Sequence, residues 1–276
     1  MRGAVVLLAL AAAGLHAGWN VLLKQSGDPL ATVTRATAAS AALVVPVAML
    51  GWILTGHRGL PVAGWVVLGL SSLAELGYFL FLSRAYGAGD ISVVYPLARG
   101  TGPLVAMAAG LLILREHLTW LELAGALAVV AGIFAVRRPR MNAAVVPSLI
   151  TGAFIGTYTT LDRVGINVGS PWLYGGLLWA AMAVLLAAWT RGRPLQRGPE
   201  MNWRTSVVIG LMMAVAYGFV LLALTIAPVA IVAPVRESAI VLVTGWGIWR
   251  LKERDGARIR IAGAFAIVIG IVLIAA

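Results

Sequence analysis

Apolar residues along this chain come in long blocks divided by short polar loops. There is neither the alternation of a half-buried strand nor the single stripe of a surface helix. Apolar blocks of about 18 residues or more have the length a membrane-spanning helix needs. Ten spans are predicted, roughly at 3–24, 31–54, 62–86, 91–114, 119–136, 144–166, 171–190, 203–226, 229–250 and 257–275. The longest connection runs only from Thr190 to Asn202.

The pattern repeats. Shifted by 138 residues, Gly14 and Gly18 fall on Gly152 and Gly156, Pro96 on Pro234, and Gly125 and Gly132 on Gly263 and Gly270. With one residue deleted after Val235, Arg99 falls on Arg236 and Glu116 on Glu253. Residues 1–138 and 139–276 therefore read as two halves of five spans each, joined at Arg137-Arg138-Pro139-Arg140. Similar halves with an odd span count enter the membrane in opposite directions. The fold class expected is an all-α integral membrane protein, ten transmembrane helices in two inverted five-helix repeats. Such a duplication suits a two-state carrier, because two like halves can rock about a site between them.

Composition agrees with the membrane reading: 61% of residues are hydrophobic and 11% charged, against about 45–50% and 25% in soluble domains. The formal charge is +11, but the basic residues lie mostly in loops. Fourteen fall on the side that follows odd-numbered spans, and four, Arg2, Arg58, Arg115 and Arg163, on the other. This is the positive-inside pattern of a multi-pass protein of the cytoplasmic (inner) membrane, with both termini predicted outside. It speaks against nucleic-acid binding. Trp52, Trp65, Trp120, Trp172, Trp189, Trp203 and Trp249 fall near span ends, as interfacial aromatics do. The apolar run of the first span continues past Trp19 to Leu23, so it reads as a retained helix and not a cleaved signal. Gly14/Gly18 and Gly152/Gly156 are small-xxx-small pairs that predict close helix packing.

Enzyme signatures are missing. No phosphate-binding G-x-x-x-x-G-K-[ST], H-E-x-x-H or G-x-S-x-G occurs, and there is no cysteine. His16, His57 and His117 are scattered, so neither a metal nor another cofactor is expected. The informative residues are ionisable ones within spans, since a charge at mid-bilayer is costly and tends to mark a pathway or a paired partner. Glu75 lies mid-span 3, Arg99 a third of the way into span 4, and Arg236 with Glu237 at similar depth in span 9. Arg35 and Asp162 lie near enough to span ends to snorkel. Arg236 and Glu237, being adjacent, are expected on different helix faces and unable simply to neutralise each other. Cross-helix pairing of Glu75 with Arg99 or Arg236 is one expectation.

Arg99 and Arg236 each follow a mid-span proline, which loosens a helix. Two guanidinium groups near the pseudo-axis would hold a carboxylate or similar anion. Glu75 is the candidate for proton coupling or for an ammonium contact. Trp19, Asn20, Tyr78, Tyr95, Tyr158 and Tyr217 could complete an apolar cavity with a few placed polar groups.

The half-ends Arg115-Glu116-His117-Leu118 … Leu123-Ala124-Gly125-Ala126 … Gly132 and Lys252-Glu253-Arg254 … Ile261-Ala262-Gly263-Ala264 … Gly270, with Val94-Tyr95-Pro96-Leu97, resemble the ten-helix EamA-type members of the drug/metabolite transporter superfamily. The resemblance spans the chain. It implies a secondary carrier working by alternating access, with a central cavity lined by helices 1, 3, 4, 6, 8 and 9, and efflux or exchange of small metabolites. Two departures stand out. Many relatives resemble termini-inside proteins, and the family's loop glycine before the glutamate is here Arg115 or Lys252, a minor change on this reading.

The expected function is thus secondary-active transport, as an exporter or exchanger, of a small polar metabolite such as an amino acid or organic acid, with the proton as the candidate coupling ion, by a monomer or homodimer in the lipid bilayer. The alternative is an amine or cation carrier using Glu75 and Glu237. An intramembrane enzyme acting on a lipid phosphate ranks behind both, for want of a paired nucleophile and base.

Overall fold

A computed structural model describes residues 2–56, 58–89, 91–136, 143–192, 203–237, 240–241 and 257–275. Among them are ten helices: α1 (Arg2–Lys24), α2 (Pro29–Leu54), α3 (Val62–Ala88), α4 (Ile91–Leu112), α5 (Trp120–Val136), α6 (Val145–Val168), α7 (Pro171–Thr190), α8 (Trp203–Ile226), α9 (Val229–Arg236) and α10 (Ala257–Ala275). No strand occurs among the described residues. Five of the helices, α1, α2, α3, α7 and α8, are long and apolar enough to cross a membrane, and α5 and α10 contain shorter apolar stretches. Leu50, Leu73, Val184, Leu222, Phe265 and Val272 stand exposed on helix flanks, where hydrocarbon and not water is the fitting neighbour.

Local chemistry sets the helix starts. Proline occupies the first helical position of α2 and α7, where no backbone donor is missed. The preceding Asp28 and Ser170 accept from the N–H groups of Ala31 (2.9 Å) and Leu173 (3.4 Å).

The packing obeys the repeat. α3 packs on α6 as α8 packs on α1, α4 on α6 as α9 on α1, and α2 on α8 as α7 on α3. The register mates α2 and α7, α4 and α9, and α5 and α10 pack on each other, as they must if a pseudo-two-fold axis runs between them. The fold is two inverted five-helix repeats.

Glycines bring the closest pairs together. A methyl group on Gly125 would sit 2.6 Å from the carbonyl oxygen of Gly270, and one on Gly132 2.5 Å from that of Gly263. Gly152 and Gly156 likewise press against the carbonyls of Ala98 and Gly102, at 2.6 and 2.7 Å. Their counterpart Gly14 departs from expectation: it meets open space, and Gly18 faces only the flexible Met212 side chain.

End clamps recur too. Lys24 Nζ donates to the carbonyls of Tyr86 (2.6 Å) and Gly89 (3.0 Å) at the end of α3. Arg163, one residue out of register, donates to the carbonyl of Leu224, the register mate of Tyr86, near the end of α8. A cation at a helix C-terminus satisfies orphan carbonyls and the helix dipole together.

The α4–α5 connection explains Glu116. Its carboxylate accepts from the backbone N–H groups of Val229 (2.9 Å) and Ala230 (3.1 Å), the first residues of α9, and Arg163 Nε stands 3.6 Å away. Arg115 reaches this arrangement with φ 52°, a left-handed conformation that costs a non-glycine residue roughly 1–2 kcal/mol. The departure from glycine at 115 is therefore not minor; a glycine would adopt that turn freely. Glu116→Ala should destabilise the protein by about 1–2 kcal/mol through loss of the cap, and Glu116→Gln by less, as read by thermal unfolding in detergent. Its counterpart Glu253 lies outside the described residues, as do Lys252, Arg254, Arg250, Trp249, His57, Arg137, Arg138, Arg140, Arg193 and Arg197.

Span 9 also differs from the single run expected over 229–250. α9 ends at Arg236, with Glu237 as its C-cap at φ −84° and ψ 0°. Pro234 offers no N–H to hold the turn before it, and the Glu237 N–H closes onto the Pro234 carbonyl at 3.1 Å.

Candidate functional site

Two buried assemblies lie side by side between the helices. The first is a charge cluster where α4 and α9 meet. Arg99 Nη1 donates to both carboxylate oxygens of Glu237, at 3.1 and 3.0 Å, and Arg236 Nε donates to Glu237 Oε1 at 2.9 Å. All three side chains are at most 3% exposed. Arg236 Nη1 also reaches Thr159 Oγ1 at 3.4 Å, while its Nη2 has no partner. The Arg99 guanidinium lies 5.3 Å from the centre of the Tyr95 ring.

This corrects the expectation for neighbouring residues. Arg236 and Glu237 do meet, because the helix stops between them and side-chain directions no longer follow the 100° helical step. The ion pair across helices joins Arg99 to Glu237 and leaves Glu75 out. One carboxylate thus spans two guanidiniums, and the cluster keeps one net positive charge.

The second assembly is a cavity lined by His16 and Trp19 of α1, Thr37 of α2, Glu75, Tyr78 and Phe79 of α3, Tyr158 of α6, Leu178, Trp179 and Met182 of α7, and Met213 and Tyr217 of α8. Its aromatic wall is continuous: Tyr78 to Tyr158 is 5.6 Å between ring centres, Tyr158 to Tyr217 6.2 Å, and Tyr217 to Trp179 6.4 Å, the last two edge-on. Such spacings are those of favourable aromatic pairs.

The polar groups in this wall are under-used. Trp19 Nε1 and Thr37 Oγ1 are buried without a hydrogen-bond partner among the described residues. His16 Nδ1 lies 2.9 Å from the Ala12 carbonyl, so Nδ1 carries the proton. Glu75, 8% exposed, makes none of the ion pairs or hydrogen bonds found among the described residues.

Of the residues expected at a site, Trp19, Glu75, Tyr78, Tyr158 and Tyr217 line the cavity. Arg99, Arg236 and Glu237 form the neighbouring cluster, and Tyr95 packs on Arg99. Asn20 sits apart: its Nδ2 donates to the His16 carbonyl at 2.8 Å and its Oδ1 accepts from Tyr86 at 2.7 Å, tying α1 to α3. The expected lining by helices 1, 3, 4, 6, 8 and 9 differs from the cavity observed, where α2 and α7 contribute and α4 and α9 stand behind with the charges. Sequence reasoning passed over Thr37 and Trp179. Trp179 carried a signal, a tryptophan in mid-span where interfacial anchoring cannot explain it.

Asp162 was expected to snorkel. It is fully buried instead, because α6 continues beyond it to Val168. Its Oδ1 accepts from Ser71 (2.5 Å) and Tyr174 (2.7 Å), and its Oδ2 accepts from Tyr217. No group of histidine, aspartate and glutamate suited to a metal occurs among the described residues.

Residues 3–138 and 143–276 each match the model of the EamA-like transporter family. One solved crystal structure superposes with a TM-score of 0.72 at 19% identity, covering 99% of this chain and 96% of its own, a likeness of fold. No curated protein matches the chain.

Proposed function

As the chain belongs to the EamA-like transporter family, whose members are membrane transporters of the drug/metabolite type, we propose that it carries a small metabolite bearing a cationic nitrogen, an amino acid or an amine, by secondary-active alternating access. One observation carries this reading: a carboxylate without a partner among the described residues, Glu75, opens into a cavity walled by aromatic rings. A carboxylate neutralises an ammonium, and ring faces attract a cation and its apolar substituents. Arg99 and Arg236, by contrast, already have Glu237 between them. Arg236 Nη2 is without a hydrogen-bond partner among the described residues, and it would take the carboxylate of an amino acid.

On this reading residues 1–138 and 139–276 rock as two units about the cavity. The protein lies in the cytoplasmic membrane with the arginine-rich loops inside, as their charge favours.

A thermal-shift panel of amines, amino acids and organic acids on the purified protein tests the reading, since a ligand of the folded state raises its apparent stability. Compounds with a cationic nitrogen should stabilise the wild type. Glu75→Gln should weaken them by about 1.5–3 kcal/mol, roughly ten- to a hundredfold in Kd. An organic acid without a cationic nitrogen that stabilised wild type and Glu75→Gln equally would sink the proposal.

A further inference from the structure

Asp162 is a second buried carboxylate that the substrate reading leaves unused. We infer that Asp162, reached from the cavity through the Tyr217 hydroxyl, is the proton-carrying site of the transporter, separate from the substrate carboxylate Glu75. This rests on the reading above for what is exchanged, though not for the chemistry of Asp162 itself.

The first argument is charge. Among the described residues, the cavity and its neighbouring charge cluster hold two buried guanidiniums, Arg99 and Arg236, against three buried carboxylates, Glu75, Asp162 and Glu237. Counted as formal charges, the set is one negative charge in excess. Net charge is costly in a medium that solvates it poorly. One cation at Glu75 restores neutrality, and so does one proton at Asp162. Both together leave a positive excess, and neither leaves a negative one. The two carboxylates are also neighbours, since Ser71, which donates to Asp162, lies one turn from Glu75 on α3. Proton and amine are therefore alternatives for the same interior balance, which is the condition for exchanging one against the other, whereas a zwitterionic amino acid leaves that balance unchanged.

The second argument is geometry. Every element packed around Asp162 presents an identified group. α3 brings the Ser71 hydroxyl and, one turn along, Glu75; α7 brings Tyr174; α8 brings Tyr217; α9 brings Arg236. The titratable side chains of α4, Tyr95 and Arg99, are engaged with each other and with Glu237. No cation lies within ion-pair distance of Asp162 among the described residues, so hydroxyl groups alone hold the carboxylate. Hydroxyls can donate or accept. Oδ1 already takes two of them, while Oδ2 takes Tyr217 alone.

Oδ2 is thus the oxygen with room for a proton, and Tyr217 is both its partner and part of the cavity wall. The transfer balances simply. The Tyr217 oxygen accepts the excess proton of a hydronium ion in the cavity, which is left as water, and passes its own proton to Oδ2. The neutral acid then donates to the Tyr217 oxygen, which turns its hydroxyl toward the cavity. Protonation of Asp162 thereby reverses one hydrogen bond in the wall that the substrate meets.

Two measurements test this. In infrared difference spectra of the purified protein between acid and neutral pH, a protonated-carboxyl stretch should titrate. It should be absent in Asp162→Asn, present in Glu75→Gln and displaced in Tyr217→Phe. A band unchanged in Asp162→Asn overturns the proposal; if that variant does not fold, a band unmoved in Tyr217→Phe does so.

The second measurement uses proteoliposomes and tetramethylammonium, whose fixed charge crosses lipid poorly and carries no proton of its own. A pH gradient should drive its accumulation by wild type but not by Asp162→Asn, while that variant keeps tetramethylammonium exchange at equal pH. Gradient-driven accumulation persisting in Asp162→Asn overturns the proposal. Wild type that ignored tetramethylammonium would count against the substrate reading, and the infrared arm would still decide for Asp162.

Discussion

Glu237→Ala is expected to be the most damaging single substitution in the described interior, costing about 3–5 kcal/mol of stability. The figure is that of a buried ion pair broken by removing one partner. Here one carboxylate answers two guanidiniums, Arg99 at 3.0 Å and Arg236 at 2.9 Å. Its loss strands two cations in a region that solvates neither. Arg99→Met should cost less, since Glu237 keeps Arg236. Replacing all three by apolar residues of like volume should recover much of the loss, because a buried ionic cluster is weak evidence of net stabilisation. Chemical denaturation in detergent would rank the variants. If Glu237→Ala unfolds within about 1 kcal/mol of wild type, the cluster is better solvated than its burial indicates.

The second large effect is expected where α5 crosses α10. Gly125→Ala and Gly132→Ala each drive a methyl group against a backbone carbonyl, of Gly270 and Gly263 respectively, and against Ile274 or Ile267. A carbonyl held in a helix cannot rotate aside, so the two helices must separate. Overpacking of this kind costs about 1–3 kcal/mol per site. The sites are two turns apart, so the double variant should lose about the sum. Gly218→Ala supplies the control, because that position faces open space and alanine is the better helix former. Thermal unfolding should separate the two classes clearly. Equal effects at Gly125 and Gly218 would mean that the crossing is looser than described.

The helices and their repeat were legible because both rest on periodicity and length. Blocks of apolar residues had to be spans, and matching glycines and prolines had to mark equivalent positions. Pairing was harder to read. Arg236 and Glu237 looked unable to meet because the helical step was carried through them, and nothing in Val235-Arg236-Glu237 announces that the helix stops there. Glu75 stands out in the sequence by its depth in a span, yet its lack of a partner among the described residues depends on where α9 ends. Asp162 was misjudged by its distance from a span end. α6 runs on past it, and three hydroxyls from three different helices converge on it. Convergence across helices is long-range information that local sequence does not carry.

The α5–α10 crossing has a consequence for how such a chain could arise. Gly125 presses on the carbonyl of Gly270 and Gly270 on that of Gly125, while Gly132 presses on that of Gly263. Each repeat sets its earlier glycine against the later glycine of the other. This is the self-complementary, isologous contact of a two-fold homodimer, enclosed within one polypeptide. A half-length ancestor inserted in both orientations would already possess both sides of this surface. Fusion would have had to supply only a connection, and the halves were then free to diverge at the cavity, where Glu75 has no acidic counterpart.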